Sequence, residues 1–260
     1  MSAAEASRRR SAELRTRYTA ADLDVLTAEE ARRFVQAGAR DPRLDGGLAW
    51  ELLYRREPEL YDRLCNAERL HPAVIEWLPS GLDRIVEVGA GTGRLTRELL
   101  HRARELVAIE PAAPMREILA RRMEPRGGCR ARVRAGFFDE LPVPDEWADL
   151  VVACSAFTPQ DRHGGEAGLA EMERVCRPGG LVALIWPNNL DWLAARGYSH
   201  VSFAGPMFVE FTTPEEAAEL VEIFYPGGAE EVRRGGLRRV SYEALGINAP
   251  RDVAFKAVGR

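Results

Sequence analysis

The stretch that decides the fold reads Val86-Glu87-Val88-Gly89-Ala90-Gly91-Thr92-Gly93-Arg94-Leu95-Thr96. It follows an apolar run and precedes an amphipathic helical pattern. Glycine at positions 89, 91 and 93 lets the backbone turn tightly, admits a ligand without a Cβ in its way and lets the next helix pack close to the strand. The stretch therefore predicts a ligand-binding turn at the end of a buried strand.

This turn differs from two other glycine-rich loops that bind phosphates. The dinucleotide fingerprint G-x-G-x-x-G would require glycine at position 94, where the chain has Arg94. A phosphate loop would end in G-K-[ST], which is absent here. The sequence thus disfavours an oxidoreductase on a dinucleotide fold.

The chain around the turn alternates apolar runs with amphipathic stretches. The apolar runs occupy residues 85–88, 106–109, 150–153 and 181–186. Runs without polar alternation are typical of strands that are covered on both faces, and alternation with helices favours a parallel, doubly wound α/β sheet. Two more strands are predicted near Glu231–Tyr242 and Asp252–Val258.

The regions outside this pattern suggest a domain organisation. Residues 1–80 show helical, amphipathic spacing and predict an N-terminal cap or lid, so residues 81–260 are expected to form the α/β domain. Residues 188–212 mix aromatic and polar side chains, which suits the wall of a small-molecule pocket. An ordinary surface insertion is an equally good interpretation of that segment.

Composition narrows the functional classes. The 260 residues carry 40 acidic and 36 basic side chains and a formal net charge of −4, whereas nucleic-acid-binding proteins usually have a basic excess. No apolar stretch approaches the roughly 18 residues of a membrane span. The four cysteines are far apart and lack metal-ligand spacing, so we expect no metal, reduced thiols and a cytoplasmic protein.

The spacing Glu-x-Gly-x-Gly-x-Gly from Glu87 to Gly93 resembles motif I of the class I S-adenosylmethionine-dependent methyltransferases. The resemblance continues over roughly residues 80–187. Its further motifs are Glu110 after the second apolar run, the turn Pro111-Ala112-Ala113-Pro114-Met115, the connection Leu141-Pro142-Val143-Pro144-Asp145, and Glu173-Arg174-Val175-Cys176-Arg177-Pro178-Gly179-Gly180-Leu181. It implies a Rossmann-like, seven-stranded, mostly parallel sheet with a helical N-terminal extension, and S-adenosylmethionine as cofactor.

The resemblance also implies roles for individual residues. Glu87 is expected to meet the amino acid part of the cofactor, Glu110 to accept both ribose hydroxyls, and Met115 to pack against the adenine. The predicted cofactor-binding set is Glu87, Gly89, Ala90, Gly91, Gly93, Glu110, Pro111, Met115, Phe137, Phe138, Asp139, Cys154 and Ser155.

Two segments depart from the family pattern. Many relatives have Gly-Asp where this chain has Gly136 followed by Phe137-Phe138-Asp139. The two phenylalanines are expected to stack on the adenine, with Asp139 or a backbone group reading its edge. For Phe137, plain core packing is the alternative. After the fourth apolar run, Cys154-Ser155-Ala156-Phe157 replaces the Asn-Pro-Pro-Tyr type motif of enzymes that methylate amino groups of nucleic-acid bases. This replacement argues against a nucleic-acid substrate.

Candidate catalytic and substrate residues lie outside the glycine-rich turn. His163, His200 and Tyr198 are the predicted catalytic candidates, the two histidines as general bases, with surface or pocket-wall roles as the alternatives. Arg196 could clamp a carboxylate with both guanidinium nitrogens. The predicted substrate-side set is Trp50, Tyr54, Asn188, Trp192, Arg196 and Tyr198.

The sequence therefore predicts an enzyme that methylates a small-molecule acceptor in specialised metabolism, as a monomer or homodimer. Two alternatives stay open. An enzyme on the same fold could break another sulfonium bond, by 3-amino-3-carboxypropyl transfer or by cyclisation to azetidine-2-carboxylate, and release methylthioadenosine. A non-catalytic S-adenosylmethionine-binding subunit is the other.

Overall fold

The computed structural model describes residues 14, 16–36, 41–123 and 129–259. These residues divide into two compact units. Unit 1 combines described residues of Met1–Arg69 with Gly205–Ala249, and unit 2 combines Leu70–Ala204 with described residues of Pro250–Arg260. This division differs from a boundary at residue 80, because residues 205–249 join the N-terminal helices rather than the α/β unit.

Unit 2 contains a seven-stranded sheet with the order β3-β2-β1-β4-β5-β9-β6. All neighbours from β3 to β5 are parallel, and β9 runs antiparallel to β5 and β6. The strands of the described chain are β1 (Leu82–Val88), β2 (Ala103–Ile109), β3 (Arg130–Arg134), β4 (Ala148–Cys154), β5 (Cys176–Ile185), β6 (Ser199–Ser202), β7 (Phe208–Glu210), β8 (Arg239–Ser241) and β9 (Asp252–Ala257). The predicted doubly wound, mostly parallel sheet is confirmed.

Helices flank this sheet and make up most of unit 1. The α-helices of the described chain are α1 (Ala28–Phe34), α2 (Gly46–Arg56), α3 (Pro58–Ala67), α4 (Pro72–Trp77), α5 (Thr96–Leu99), α6 (Ala113–Arg122), α7 (Gly165–Val175), α8 (Leu190–Ala194), α9 (Pro214–Phe224) and α10 (Ala229–Gly235). None of the described helices is both long and apolar enough to cross a membrane.

Both faces of the sheet are covered. On β2, Val107 and Ile109 belong to a core that includes Met172 of α7, whereas Ala108 packs with Leu119 of α6. Because successive strand residues point to opposite faces, α6 and α7 lie on opposite sides of the sheet. This double cover explains why the strands read as unbroken apolar runs.

One predicted strand is wrong in its first half. Residues Ala229–Gly235 form helix α10, and only Arg239–Ser241 of the predicted segment Glu231–Tyr242 is a strand. The helix has Glu230 and Glu231 in its first turn and two arginines in its last, which complement the helix dipole. Gly236 then ends it in the left-handed conformation.

The segment 188–212 is divided between the two units. Helix α8 and strand β6 belong to unit 2, where β6 is an edge of the main sheet. Strand β7 belongs to unit 1 and pairs with β8. The sequence of segment 188–212 does not predict these two strands, because β6 and β7 are short and their residues are mostly exposed or half-buried.

Unit 1 contains a buried ionic cluster centred on Arg55. Its guanidinium donates to Glu51 Oε2 at 2.7 Å and to Glu30 Oε1 at 2.9 Å, and the Arg55 side chain is only 2% exposed. Glu30 also completes the capping box with Thr27 at the start of α1. The cluster thus joins α1 to α2 through buried charges.

We expect Arg55→Ala to lower the free energy of unfolding by about 3–5 kcal/mol, because it leaves two carboxylates buried without their cation. The matched control is Arg56→Ala in the same helix, which removes ion pairs to the exposed Asp24 and to Asp22 and should cost less than about 1 kcal/mol. Urea unfolding followed by circular dichroism measures both. Equal losses in the two variants would contradict the stabilising role of the cluster.

Candidate active site

Three adjacent strands leave the sheet at the same edge through left-handed backbone. Gly89 follows β1 with φ 71°, Ser155 follows β4 with φ 56°, and Trp186 follows β5 with φ 56°. The sheet order reverses between β1 and β4, and ligands of open α/β sheets bind at the carboxyl ends of strands beside such a reversal. Strained non-glycine residues are also concentrated at functional sites. This edge is therefore the candidate site.

The glycine turn is tied to the end of β2 by backbone bonds. The N–H groups of Gly89 and Ala90 both donate to the carbonyl oxygen of Ile109, at 2.9 and 3.0 Å. A Cβ on Gly89 would lie 2.5 Å from the Cβ of Ala156, and one on Gly93 would lie 2.8 Å from Leu119 Cδ1. Glycine is thus required at 89 by the chain after β4, and at 93 by a φ of 101°, which residues with a side chain rarely adopt.

Glu110 lies directly after β2 and is held by two backbone donors. Its Oε2 accepts from the N–H of Gly91 and its Oε1 from the N–H of Ala112, each at 2.9 Å. The residue is 6% exposed. These two bonds fix the orientation of the carboxylate. A carboxylate is also an acceptor for a pair of vicinal hydroxyls, as on a ribose.

Thr92 supplies a buried hydroxyl inside the turn. The residue is 2% exposed, and its Oγ1 has no hydrogen-bond partner among the residues that the structure describes. A buried polar atom without a partner costs about 1–3 kcal/mol, so such an atom points to a ligand that satisfies it. With Glu110, it makes the turn chemically suited to the sugar and polar groups of S-adenosylmethionine.

Glu87 is the second acid of the site and is almost completely buried. Burial raises the pKa of its carboxyl to about 8, while a hydrogen bond from Thr96 Oγ1 and the positive charge of Arg94 oppose that rise. The negative charge of Glu110 adds to it. The carboxyl therefore lies in an environment that a cationic ligand group would change strongly.

Phe138 packs in the core beside the turn. Its ring lies edge-on to Phe157 at a centroid distance of 5.3 Å, and Phe157 in turn lies 6.1 Å from Trp192. Phe137 is half-buried and Asp139 is exposed. The Phe138 ring therefore packs against the core, and stacking of either phenylalanine on the adenine stays a prediction.

The remaining predicted cofactor residues lie around the same edge. Met115 is buried in the first turn of α6, and Pro111 is half-buried just before that helix. Cys154 is buried at the end of β4, whereas Ser155 is exposed. Pro111 and Met115 thus lie on the connection after β2, and Cys154 and Ser155 lie where β4 ends.

The predicted catalytic residues are not brought together. Tyr198 is buried and donates to Glu173 Oε1 at 3.2 Å, beside Lys256, which pairs with Val182 of β5. Val182 of β5 and Val86 of β1 both pair with the same residue of β4, so they lie at the same height in the sheet. Tyr198, which lies beside Lys256 at this height, is therefore below the carboxyl edge of the sheet. His200 is exposed on β6, with Nε2 3.3 Å from Asp252 Oδ1.

His163 is half-buried in a short 3₁₀ turn, Asp161–His163, after β4. Its backbone carbonyl accepts from the N–H of Thr158 at 3.0 Å. That bond fixes the backbone of the turn on the connection between β4 and α7. A role for its imidazole stays a prediction.

The predicted substrate residues are distributed over both units. Arg196 forms a forked ion pair with Glu166, with Nε–Oε1 at 2.8 Å, and its guanidinium lies 3.6 Å from the centre of the Trp192 ring. The carboxylate that Arg196 clamps is thus one of the protein's own. Asn188 is exposed after β5.

Trp50 and Tyr54 lie in α2 of unit 1. Trp50 stacks on Phe224 at 5.6 Å, and Tyr54 lies edge-on to Tyr61 at 4.8 Å. Both Trp50 and Tyr54 are half-buried. Their side chains therefore form part of an aromatic cluster of that unit, and a substrate role for them stays a prediction.

Sequence reasoning missed Thr92 and Arg94 as site residues. Both stand within the glycine-rich stretch 86–96. For Thr92, this position is the sequence signal that indicates a place in the site. Arg94 was considered only as the residue that excludes a dinucleotide fingerprint. Its contacts with distant strands depend on the tertiary fold, which the local sequence does not reveal.

No group of three or more possible metal ligands is arranged around an ion position in the described chain.

Comparison with known proteins supports the resemblance to methyltransferases. Residues 85–180 match a family model described as a methyltransferase domain. An uncharacterized methyltransferase of Mycobacterium tuberculosis is 30% identical over 55% of this chain and 58% of its own length. Another from Geobacillus kaustophilus is 34% identical over 38% of this chain and 44% of its own length. The chain thus spans about half the length of these relatives.

A structural comparison gives a putative methyltransferase from Bacillus halodurans, 16% identical, with a TM-score of 0.47 over 71% of this chain and 96% of that one. The family match confirms the resemblance that the sequence indicated, and with it S-adenosylmethionine as the cofactor.

Two glycines with the same φ of 71° allow a matched test of the turn. Gly81→Ala should cost about 1–2 kcal/mol of stability for the left-handed backbone alone and leave ligand binding intact, because nothing lies within 4 Å of its Cβ position. Gly89→Ala should cost more and weaken binding of S-adenosylhomocysteine, because its Cβ overlaps Ala156. Thermal unfolding and calorimetry measure both effects. Identical behaviour of the two variants would refute the steric role of Gly89.

The pKa of Glu87 gives a pH prediction. Between its ordinary value of 4.5 and about 8, the native state holds a proton that the unfolded chain has released, so stability from this group falls as pH rises. Relative to Glu87→Gln, the free energy of unfolding should decline by a few kcal/mol over this range and level off above it. Urea titrations of both proteins at several pH values provide the measurement. A pH-independent difference would contradict the raised pKa.

Proposed function

We propose that the protein, whose residues 85–180 match a methyltransferase domain, transfers the methyl group of S-adenosylmethionine to a small-molecule acceptor in specialised metabolism. The observation that carries the proposal is the Glu110 carboxylate, which the N–H groups of Gly91 and Ala112 orient at the carboxyl end of β2. A preset acid beside a glycine turn is suited to hold a ribose without blocking its approach.

The strand exits support a small-molecule acceptor. Two aromatic residues, Phe157 after β4 and Trp186 after β5, follow the carboxyl ends of these strands, as does the small polar Ser155 after β4. Mostly apolar walls with a few polar groups are typical of small-ligand sites. The acidic net charge of −4 and the sequence Cys154-Ser155-Ala156-Phe157 support an acceptor other than nucleic acid.

The chain's own residues contribute mainly by positioning. When bound, S-adenosylmethionine supplies an activated methyl group and a neutral leaving group. Glu110 would hold the sugar and Glu87 the amino acid part, while Gly89 and Gly91 allow close approach of the backbone. Holding a nucleophile about 3 Å from the methyl carbon contributes several kcal/mol to the lowering of the barrier.

An acceptor hydroxyl or carbon acid must also lose a proton. A positioned base contributes roughly 10²–10⁴-fold to such a step. His163 and His200 stay the predicted bases, and Asp252 beside His200 is placed to orient its ring.

We expect the protein to act in the cytoplasm as a monomer or homodimer, without a nucleic-acid or membrane partner. We expect residues 1–80 to form a lid.

The experiment is incubation of the purified protein with S-adenosylmethionine and a panel of small oxygen, nitrogen, sulfur and carbon nucleophiles, with products identified by mass spectrometry. The proposal predicts enzyme-dependent S-adenosylhomocysteine together with a methylated acceptor. Methylthioadenosine would contradict methyl transfer and indicate cleavage of another sulfonium bond. Bound cofactor with no product across the panel would favour a non-catalytic subunit.

Glu110→Ala should weaken binding of S-adenosylhomocysteine by a few kcal/mol at most, because hydrogen bonds to a charged acceptor are lost and two loop N–H groups lose their partner. Glu105→Ala is the matched control, since it removes an acid of the same strand that is ion-paired with Arg130. Isothermal titration calorimetry compares them. Unchanged affinity in Glu110→Ala would refute the assignment of Glu110 to the ribose.

A further inference from the structure

Arg94 ends the glycine turn and is buried, with 8% of its surface exposed. Its side chain reaches the ends of two other strands. Nη2 lies 3.6 Å from Cys154 Sγ at the end of β4, and the guanidinium carbon lies 5.5 Å from the centre of the Trp186 ring after β5. One side chain thus contacts the exits of β4 and β5 from the loop that follows β1.

Both contacted exits have backbone that L-residues adopt at a cost. Trp186 itself has φ 56°, and Ser155, with φ 56°, directly follows Cys154. Such conformations persist only where the surroundings hold them. Backbone hydrogen bonds hold both residues in part: the N–H of Ser155 donates to the carbonyl oxygen of Ile185, and the N–H of Trp186 donates to the carbonyl oxygen of Asp252. Arg94 contacts the same two exits through side chains.

Arg94 also acts on the third exit, that of β1. Its positive charge stabilises the ionised carboxyl of Glu87, which burial and the charge of Glu110 disfavour, and so lowers the pKa of Glu87. The groups that face Glu87 are therefore Arg94, Thr96 and Glu110. Arg94 connects the acid at the end of β1 with the ends of β4 and β5.

We propose that Arg94 is a positioning residue for cofactor binding, whose planar guanidinium holds Cys154, Ser155 and Trp186 in the arrangement that the cofactor meets. The inference rests on the proposed function and deepens it. It depends on the shape of the guanidinium as well as on its charge, because a planar group can lie over an indole ring and donate sideways to a sulfur. A lysine at position 94 keeps the charge and loses this geometry.

The experiment is a double-mutant cycle of Arg94→Lys and Cys154→Ala, read by calorimetric titration with S-adenosylhomocysteine. Arg94→Lys should weaken binding roughly tenfold, as expected for loss of a buried cation–π contact. The two substitutions should be non-additive in affinity, because each removes the same contact. Arg97→Lys, an exposed arginine of the next turn, is the matched control and should bind like the wild type.

Unfolding of each variant without ligand separates positioning from general stabilisation. A merely structural Arg94 would show coupling to Cys154 in the unfolding midpoint, while every folded variant bound S-adenosylhomocysteine as the wild type does. That result would overturn the inference and leave the proposed function standing. Wild-type protein that fails to bind would overturn both. If Arg94→Lys does not fold, Arg94→Met keeps the apolar stem and the same prediction of weakened binding applies.

Discussion

The site depends on the hydrogen bonds that the Glu110 carboxylate accepts from the backbone N–H groups of Gly91 and Ala112. The carbonyl oxygen of the preceding residue, Ile109, accepts hydrogen bonds from the N–H groups of Gly89 and Ala90. Four hydrogen bonds thus fasten the turn after β1 to the end of β2. These bonds come from the protein's own backbone, and they orient the acceptor oxygens of Glu110. Preorganisation of this kind reduces the free energy that a ligand must spend on ordering its site.

The rest of the edge is built around this fastening. Gly89 allows Ala156 to approach the turn, Gly93 allows α6 to pack against it, and Arg94 extends from it to the ends of β4 and β5. Parallel strands place their carboxyl ends at one edge, so residues distant in sequence face one ligand. Burial then changes their chemistry, as the raised pKa of Glu87 illustrates.

Local features of this fold could be predicted from the sequence, because they depend on neighbouring residues. The apolar runs predicted β1, β2, β4 and β5, and the glycine spacing predicted the turn. Contacts set by tertiary structure could not be predicted, such as the pairing of Arg196 with Glu166 and of Tyr198 with Glu173. Residues 231–235 form part of a helix and not the predicted strand, because the glutamates in the first turn of that helix and the arginines in its last turn favour a helix.

The central claim is that Glu110 and the turn it orients bind S-adenosylmethionine. A crystal structure of the protein with S-adenosylhomocysteine tests this most directly. We expect both ribose hydroxyls to lie within hydrogen-bond distance of the Glu110 carboxylate, the bond from Gly91 to be retained, and Thr92 Oγ1 to have a polar partner. A ligand bound away from this edge, or a Glu110 side chain turned away from the ribose, would contradict it.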